Sequence, residues 1–394
     1  MLDGKENNAS RIQFMQQNVD KNGSKMHTCL QIGLELNIDF ILFQESFVNT
    51  NSMTTISHSA YYCIMSESEK IRSRVMIFAK KSSRFQFCQK SDICSNTDII
   101  IIDINDSLNS KTEVIQLINI YNEKSLAENN NEWTVKKNLQ NIIPAKNTII
   151  CGDFNSHHSW WNSAVSDSDS RKAADLVKWL KNHQFDLQNE SDNETFHKDN
   201  LTRASVIDLT FSTKNISQYT SWWKDSEYDI DSQHDMIFFS VARESDVLVE
   251  NSIYSCQYNF EKADWKNLIK DISTEQNNEE FSWSLKELSA EALEFEAEKL
   301  QKLVVKLVEK HIPRKKLSEK SKLWWSDELK ILRKEMTKYR RKWRKYLDIQ
   351  TEQKYHEARA NYYFEVKKAK SNCWNNFLEN ASGKEIFKAF QYTK

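Results

Sequence analysis

The sequence predicts an α+β protein: a four-layer α/β/β/α sandwich, with two packed and mostly antiparallel sheets between outer helices, followed by an all-α basic tail. Three observations lead there. Up to about residue 243, β-rich runs alternate with polar loops and few helices, which is not the βαβ rhythm of a doubly wound sheet. Beyond about residue 244 the β signal stops and long amphipathic helical patterns replace it. Charge divides as well: residues 301–394 hold 25 Lys and Arg against 11 Asp and Glu, leaving 30 basic and 45 acidic groups before them inside a net charge of only −1.

In order, strands are expected at Arg11–Gln17, Asp39–Gln44, Tyr61–Met65, Ser73–Ala79, Asp98–Ile104, Val114–Tyr121, Thr148–Gly152, Val206–Ser212 and Met236–Val241. Each is rich in Ile, Val, Phe or Tyr and bounded by turn residues. Helices are expected after Asn22–Ser24, with Met26, Leu30 and Leu34 inward, over about Asn131–Ile143, and over Arg171–His183. In the tail, Leu285–His311 reads as helix and Pro313 ends it. Ser326 caps a second long helix, and a third run spaces Ala358, Tyr362, Val366, Ala369, Cys373 and Phe377 by threes and fours. The second helix carries Lys330, Arg333, Lys334, Lys338, Arg340, Arg341, Lys342, Arg344 and Lys345, which reads equally as a basic face that attracts polyanions or as an ordinary solvated helix face.

Composition excludes several classes. Hydrophobic residues at 39 % and aromatics at 11 % are ample for a core. Five Gly and two Pro rule out collagen-like or Pro-rich material. The apolar run Ile99–Ile102 is far shorter than the ~20 residues of a membrane helix, so no membrane partner is expected. Met1 leads into Asp3, Lys5 and Glu6 rather than an apolar stretch, which predicts no signal peptide and an intracellular chain. Seven cysteines without a CxxC pair read as reduced thiols and imply no structural zinc.

Chemistry concentrates at Ile149-Ile150-Cys151-Gly152-Asp153-Phe154-Asn155. A buried strand runs into Gly152 and delivers Asp153 and Asn155, two residues apart, to one side of the chain. A carboxylate can take the proton of an attacking water while a carboxamide holds that water or a phosphoryl oxygen, as phosphodiester hydrolysis requires. Other strand ends carry polar groups too: Gln16-Gln17-Asn18, Phe43-Gln44-Glu45, Asn119-Ile120-Tyr121, Ser205-Val206-Ile207-Asp208 and Ser232-Gln233-His234. Taken singly, each has a plain structural reading as a turn former or a packed side chain. His157-His158 reads as mostly structural, because adjacent residues on an extended chain point opposite ways; flanking a groove is its second reading.

Taken together and in this order, Q-N, Q-E, N-I-Y, G-D-F-N, S-V-I-D and S-x-H resemble the endonuclease/exonuclease/phosphatase superfamily. Within it the chain is most similar to the apurinic-like endonuclease of non-LTR (LINE-type) retrotransposons. His157-His158 with Trp160-Trp161 after G-D-F-N points to that branch, as do Asn189-Glu190 and Thr195-Phe196 before Ser205–Phe211. The resemblance spans about residues 9–243. His311–Lys316 and Trp324–Leu329 are similar to the linker before a reverse transcriptase, although no Y-x-D-D or F-x-D-D run occurs. The expected organisation is therefore a flexible 1–8, a nuclease domain over 9–243, and a helical basic linker over 244–394 that stops before any polymerase domain.

The resemblance implies a Mg²⁺-dependent DNA endonuclease, with Mn²⁺ as substitute, that nicks double-stranded DNA and leaves a 3′ hydroxyl to prime reverse transcription. It implies Glu45 and Asn18 at the metal, Asp153 and Asn155 on the attacking water or phosphate, and Tyr121 donating to the phosphate. His234 would stabilise the transition state, oriented by Asp208. Thr195, Ser205 and Asn119 would contact substrate. Element RNA bound by the basic tail, and a nuclear location, follow from the same reading. One position departs from the pattern: the usual S-D-H is Ser232-Gln233-His234, which implies a weakened hold on the metal and slower nicking. Two other readings stay open, a decayed remnant that binds nucleic acid without cutting and a phosphatase of the same superfamily.

Overall fold

The structure, a computed structural model, describes residues 11–66, 72–94, 96–107, 113–123, 136–198, 204–242, 263–276, 299–300, 303–304, 306–308, 310–312 and 324–380. The N-terminal 1–8, residues 131–135 and most of Leu285–His311 lie outside these, as do Cys256, the boundary at 243–246 and the basic run Pro313–Lys316. The chain divides into two compact units, Met1–Ser252 with Glu319–Lys394, and Ile253–Ser318. The last two helices therefore fold with the first 252 residues, and the division runs differently from a single cut after residue 243.

Among the described residues of the larger unit, twelve strands form two six-stranded sheets. The first has the order β11-β12-β1-β2-β4-β3, built from β1 (Ile12–Asn18), β2 (Phe40–Gln44), β3 (Tyr61–Ile64), β4 (Val75–Lys80), β11 (Thr220–Lys224) and β12 (Ile237–Val241). The second has the order β5-β6-β7-β8-β10-β9, built from β5 (Phe85–Gln89), β6 (Ile99–Asp106), β7 (Ile115–Tyr121), β8 (Thr148–Asp153), β9 (Phe185–Leu187) and β10 (Asp208–Thr213). Each sheet is antiparallel except for one parallel pair, β1/β2 and β7/β8. Ahead of its C-terminal hairpin, the described helices of this unit are α1 (Gly23–Glu35), α2 (Lys136–Gln140), α3 (Asp167–Lys172), α4 (Ala174–Asn182) and α5 (Lys214–Ser217).

Alternation along the strands builds three apolar layers. Phe14, Leu42, Ile77, Ile102, Leu117, Ile149 and Phe239 fill the space between the sheets. The other face of the first sheet packs Met15, Ile41 and Phe43 on Met26, Cys29 and Leu30 of α1. The other face of the second packs Ile118, Ile150 and Phe211 on Leu139, Val177 and Leu180. The α/β/β/α sandwich is thus the observed architecture. Asn22 caps α1 by accepting from the Ser24 and Lys25 N–H groups at 2.9 and 3.1 Å. Arg171–His183 is not one helix: α3 stops at Lys172, and α4 begins after Ala173.

The smaller unit contains α6 (Trp265–Gln276), whose Leu268 packs with Leu307 and Ile312. The larger unit ends in a hairpin of α7 (Asp327–Tyr346) and α8 (Ile349–Asn380). Ser326 caps α7 as expected, accepting from the Leu329 N–H at 3.4 Å. Trp325, Leu329, Met336, Trp343, Tyr355, Tyr362 and Val366 form the seam, with Trp343 stacked on Tyr355 at 5.2 Å between centroids. The basic face of α7 needs correction. Arg333 and Arg340 are buried, and only Lys334, Lys338, Arg341, Lys342 and Lys345 are fully exposed. A long arginine stem packs readily against apolar neighbours, and the head of Arg340 reaches the Asp229 carboxylate at 2.6 Å.

Candidate active site

The register gathers the polar strand ends at one edge of the sandwich. Asp153, the last residue of β8, lies opposite Tyr121 of β7 on one side and Asp208 of β10 on the other. In the first sheet Asn18 pairs with Gln44, so Glu45 leaves β2 beside the end of β1. Gly152 allows the close approach that places Asp153. Its φ is 146°, and a Cβ there would come within 1.9 Å of the Ile120 carbonyl oxygen. Glu45 and Asn155 follow the ends of β2 and β8 with φ of 45° and 43°, a left-handed conformation that is uncommon for non-glycine residues.

Hydrogen bonds then join the two sheets. The Asn18 Nδ2 donates to Glu45 Oε1 at 3.2 Å and to Asp153 Oδ2 at 2.9 Å. Tyr121 hydrogen-bonds the Glu45 carboxylate, and the Arg74 guanidinium lies 5.6 Å from the centre of its ring. The Asn155 N–H donates to Asp153 Oδ1 at 3.0 Å. His234 Nδ1 lies 3.0 and 2.9 Å from the two Asp208 oxygens, and its Nε2 lies 3.9 Å from Asp153 Oδ2. Asp153, Asp208 and His234 therefore form a buried cluster whose ligand atoms lie within 4.8 Å of one another. Glu45, Asn155, Ser205, Gln233 and His157 line the same cleft, which has a volume of about 730 Å³.

The electrostatics follow from burial and from charge crowding. Burial alone would drive the His234 imidazole down, but the Asp208 carboxylate, then Asp153 and Glu45, outweigh it and lift the pKa to about 9. Burial and the neighbouring Asp208 push the Asp153 carboxyl up, against the pull of His234. Burial and the charges of Glu45 and Asp153 raise the Tyr121 hydroxyl, keeping it a donor. At neutral pH the histidine is a cation pinned at one nitrogen, with the other directed at the acid.

Of the residues predicted from sequence, Asn18, Glu45, Tyr121, Asp153, Asn155, Asp208, Ser205 and His234 meet at this edge. Two expected substrate contacts do not. Asn119 is fully buried between the sheets, where its Nδ2 donates to the carbonyls of Phe43 and Met76, both at 3.1 Å, and its Oδ1 accepts from Gln44 at 2.6 Å. Thr195 is also fully buried, and its Oγ1 accepts from the Ile207 and Asp208 N–H groups at 3.1 and 3.0 Å, which fixes the strand start rather than a ligand. Asn18 differs in detail, since it turns its nitrogen to the carboxylates while its Oδ1 accepts from the Asp20 N–H at 3.0 Å. His157 lines the cleft, whereas His158 accepts from the Trp160 N–H at 2.9 Å and packs on Trp161.

Sequence reasoning missed the cleft wall contributed by Trp343, Tyr355, His356 and Arg359 of the C-terminal hairpin. Tyr355, His356 and Arg359 fall within one helical turn of α8, a local cluster visible in sequence, but nothing there names their partners.

Residues 115–238 match the family described as Endonuclease-reverse transcriptase. That stretch carries Tyr121, Asp153, Asn155, Asp208 and His234. Asn18 and Glu45 lie before the matched stretch, yet they close the same site. Among solved structures, the endonuclease domain of TRAS1, a telomere-specific non-LTR retrotransposon, is similar with a TM-score of 0.46 and 18 % identity over 59 % of this chain and 98 % of that one. The AP endonuclease LMAP from Leishmania major is similar with a TM-score of 0.46 and 11 % identity, over 59 % and 88 %. The catalytic domain of Xenopus laevis APE2 is similar with a TM-score of 0.43 and 15 % identity, over 59 % and 92 %. No curated protein matches the chain.

Proposed function

We propose that the chain is a divalent-metal-dependent DNA endonuclease that hydrolyses one strand of a duplex and leaves a 3′ hydroxyl, using Mg²⁺ or Mn²⁺. The observation that carries this reading is His234, held through Nδ1 by Asp208 and facing Asp153 across 3.9 Å beside the Asn18–Glu45 pair. Asp153 accepts the proton of the attacking water, and Asn155, next but one along the chain, holds that water or a phosphoryl oxygen. The His234 imidazolium faces the charge that builds on the phosphorane, and Tyr121 adds a neutral donor. Asp208 keeps the ring in the orientation that leaves Nε2 toward the substrate.

The donor set fits a hard cation at Glu45. Its side chain is 18 % exposed and borders the cleft, and its hard carboxylate oxygens now meet Asn18 Nδ2 at 3.2 Å and Lys21 Nζ at 3.2 Å, contacts that an ion would have to displace. The Asp153–Asp208–His234 cluster is already satisfied internally by the Asp208–His234 bond, so Glu45 is the residue that would hold the ion. When bound, such an ion neutralises phosphate charge and stabilises the leaving oxygen. The exposed lysines of α7 supply a surface for the phosphate backbone of DNA or element RNA, with affinity falling as salt rises. A chromosomal substrate would place the enzyme in the nucleus; among the described residues no helix is long and apolar enough to cross a membrane.

Gln233 supports a second reading, a remnant that binds nucleic acid without cutting it. It lines the cleft next to His234 and brings no charge where the family pattern has a carboxylate. Neither neighbour substitutes for it. Asp231 is engaged by Tyr355 and Arg359, and Asp235 by His197 and Lys224. Nicking of supercoiled plasmid by the purified chain in Mg²⁺ or Mn²⁺, followed by polymerase extension from the nick, tests both readings. Extendable nicks that vanish in Asp153→Asn support the endonuclease. Equal background from both proteins in either metal leaves the remnant.

A further inference from the structure

The segment Asp229–Asp235 carries Ser232, Gln233 and His234 into the cleft, and its polar groups are held from two directions. From the nuclease core, Ser232 Oγ donates to the Asn18 carbonyl at 2.8 Å and Gln17 Nε2 donates to the His234 carbonyl at 3.0 Å. The Asp235 N–H donates to the Thr195 carbonyl at 2.7 Å, and the His197 N–H to the Gln233 carbonyl at 2.7 Å. From the other side comes the C-terminal hairpin. Arg340, itself fully buried, reaches Asp229 at 2.6 Å, and Thr337 Oγ1 donates to the Asp229 carbonyl at 3.1 Å. Arg344 donates to the Ser232 carbonyl at 3.2 Å and lies 3.5 Å from Asp235. Arg359 Nε donates to Asp231 at 2.6 Å, and the Tyr355 hydroxyl donates to the other oxygen of the same carboxylate.

All three carboxylates of this segment are therefore gripped by the hairpin, and two of its carbonyls as well. The grip at Asp231 also supports a costly conformation: that residue has φ of 66°, a left-handed turn three positions before the catalytic histidine. Elsewhere on the hairpin Tyr362 meets Thr28 at 3.0 Å and Lys330 meets Glu35 at 3.3 Å, which anchors the clamp on α1, the helix packed on the first sheet.

We propose that the C-terminal hairpin is a working part of the nuclease, and that Arg359 and Tyr355 are positioning residues that set His234 through Asp231. A charge-assisted bond to a buried carboxylate is strong and directional, so it fixes the turn better than apolar packing alone. A catalytic group displaced by about 1 Å loses about a hundredfold in rate, and a clamp that limits such displacement acts on turnover rather than on substrate capture. This role presupposes the nuclease reading for its kinetic effect, while its structural effect stands without it.

The test uses the full-length chain with Arg359→Ala, Arg359→Lys and Tyr355→Phe, read by steady-state nicking and by amide hydrogen exchange over residues 229–235. Arg359→Ala is expected to lower kcat by about 10- to 100-fold, with KM within about twofold of wild type and with at least about tenfold faster exchange in the segment. Arg359→Lys restores most of both. Tyr355→Phe removes one hydroxyl, keeps the hairpin folded, and produces a smaller change in the same direction. A rise in KM with unchanged kcat would mean that Arg359 grips DNA directly and would overturn the positioning role. Unchanged kcat and exchange in both Arg359→Ala and Tyr355→Phe would also overturn it. If the wild-type protein does not nick, the nuclease reading fails on its own, and unaltered exchange in these variants then decides against the clamp.

Discussion

Asp153 and Asp208 face each other as a register pair of two hydrogen-bonded strands, whereas Arg359 reaches the same cleft from a helix on a far part of the chain through one carboxylate. The floor of the cleft is positioned by backbone ladders, the wall by side-chain ion pairs. A ladder position moves only if the sheet moves, and the interior is packed too densely for that. An ion pair at the edge can be removed singly, and it responds to pH and salt. Changes in the floor should therefore abolish chemistry without loosening the fold, while changes in the wall should trim rate, stability or acid tolerance by smaller amounts.

The largest effect is expected at the floor. Asp153→Asn should lower nicking by about 10³-fold, because a carboxamide cannot take the proton from water, while the fold stays intact. A loss under tenfold in a plasmid assay would break the contrast. Next comes Asn119→Ala, a position that shares the strand-end signature yet sits inside the sandwich. Leaving the Phe43 and Met76 carbonyls without a donor should cost about 2–4 kcal/mol in urea unfolding. KM for DNA should not move, and a change confined to KM would restore Asn119 as a substrate contact.

A third prediction concerns acid stability. Burial would raise the Asp235 carboxyl, but the His197 hydrogen bond and charge, together with Lys224, outweigh it and bring the pKa from 3.8 down to about 2. A depressed folded-state pKa contributes stability above the unfolded value, and that contribution fades as pH falls from about 4 to 2. It amounts to about 2 kcal/mol. Asp235→Asn should therefore unfold more readily than wild type at pH 6 and converge with it near pH 2; parallel curves would contradict the assignment. The smallest change is expected from Gln233→Asp. Supplying a carboxylate in the cleft should lower the Mg²⁺ needed for half-maximal nicking by about tenfold, or about 1.4 kcal/mol. Identical Mg²⁺ curves would show that Gln233 does not limit metal binding.

The floor was largely readable from sequence because its signal is local. A β-branched run that ends in Asp, Asn or Glu leaves a polar group where a strand exits, as at Asn18, Glu45 and Asp153, and all nine strands expected from sequence fall on observed strands of the two sheets. β5, β9 and β11 escaped for physical reasons. β9 spans three residues, and β5 and β11 are edge strands whose residues alternate between exposed and mostly half-buried. Depth was not readable. Asn119 and Tyr121 sit two apart on one strand, yet only the facing sheet decides that the first is a strut and the second borders the cleft. The same limit hid the wall. Arg333 and Arg340 share a helix with exposed lysines, and only partners more than a hundred residues away explain why Arg340 turns inward. The α6 helix was also not anticipated, its apolar residues being few and widely exposed.

Gly152 carries a consequence for how this site can change over time. Because any side chain there would collide with the Ile120 carbonyl, the spacing between the two central strands of the second sheet has no neighbouring solution to drift toward. A saturation library selected only for folded protein should leave that one position blank for nineteen amino acids, beside an aspartate whose replacement the same selection would tolerate. Mutation can remove the proposed activity in a single step at Asp153, but it cannot gradually retune the glycine on which that aspartate is mounted.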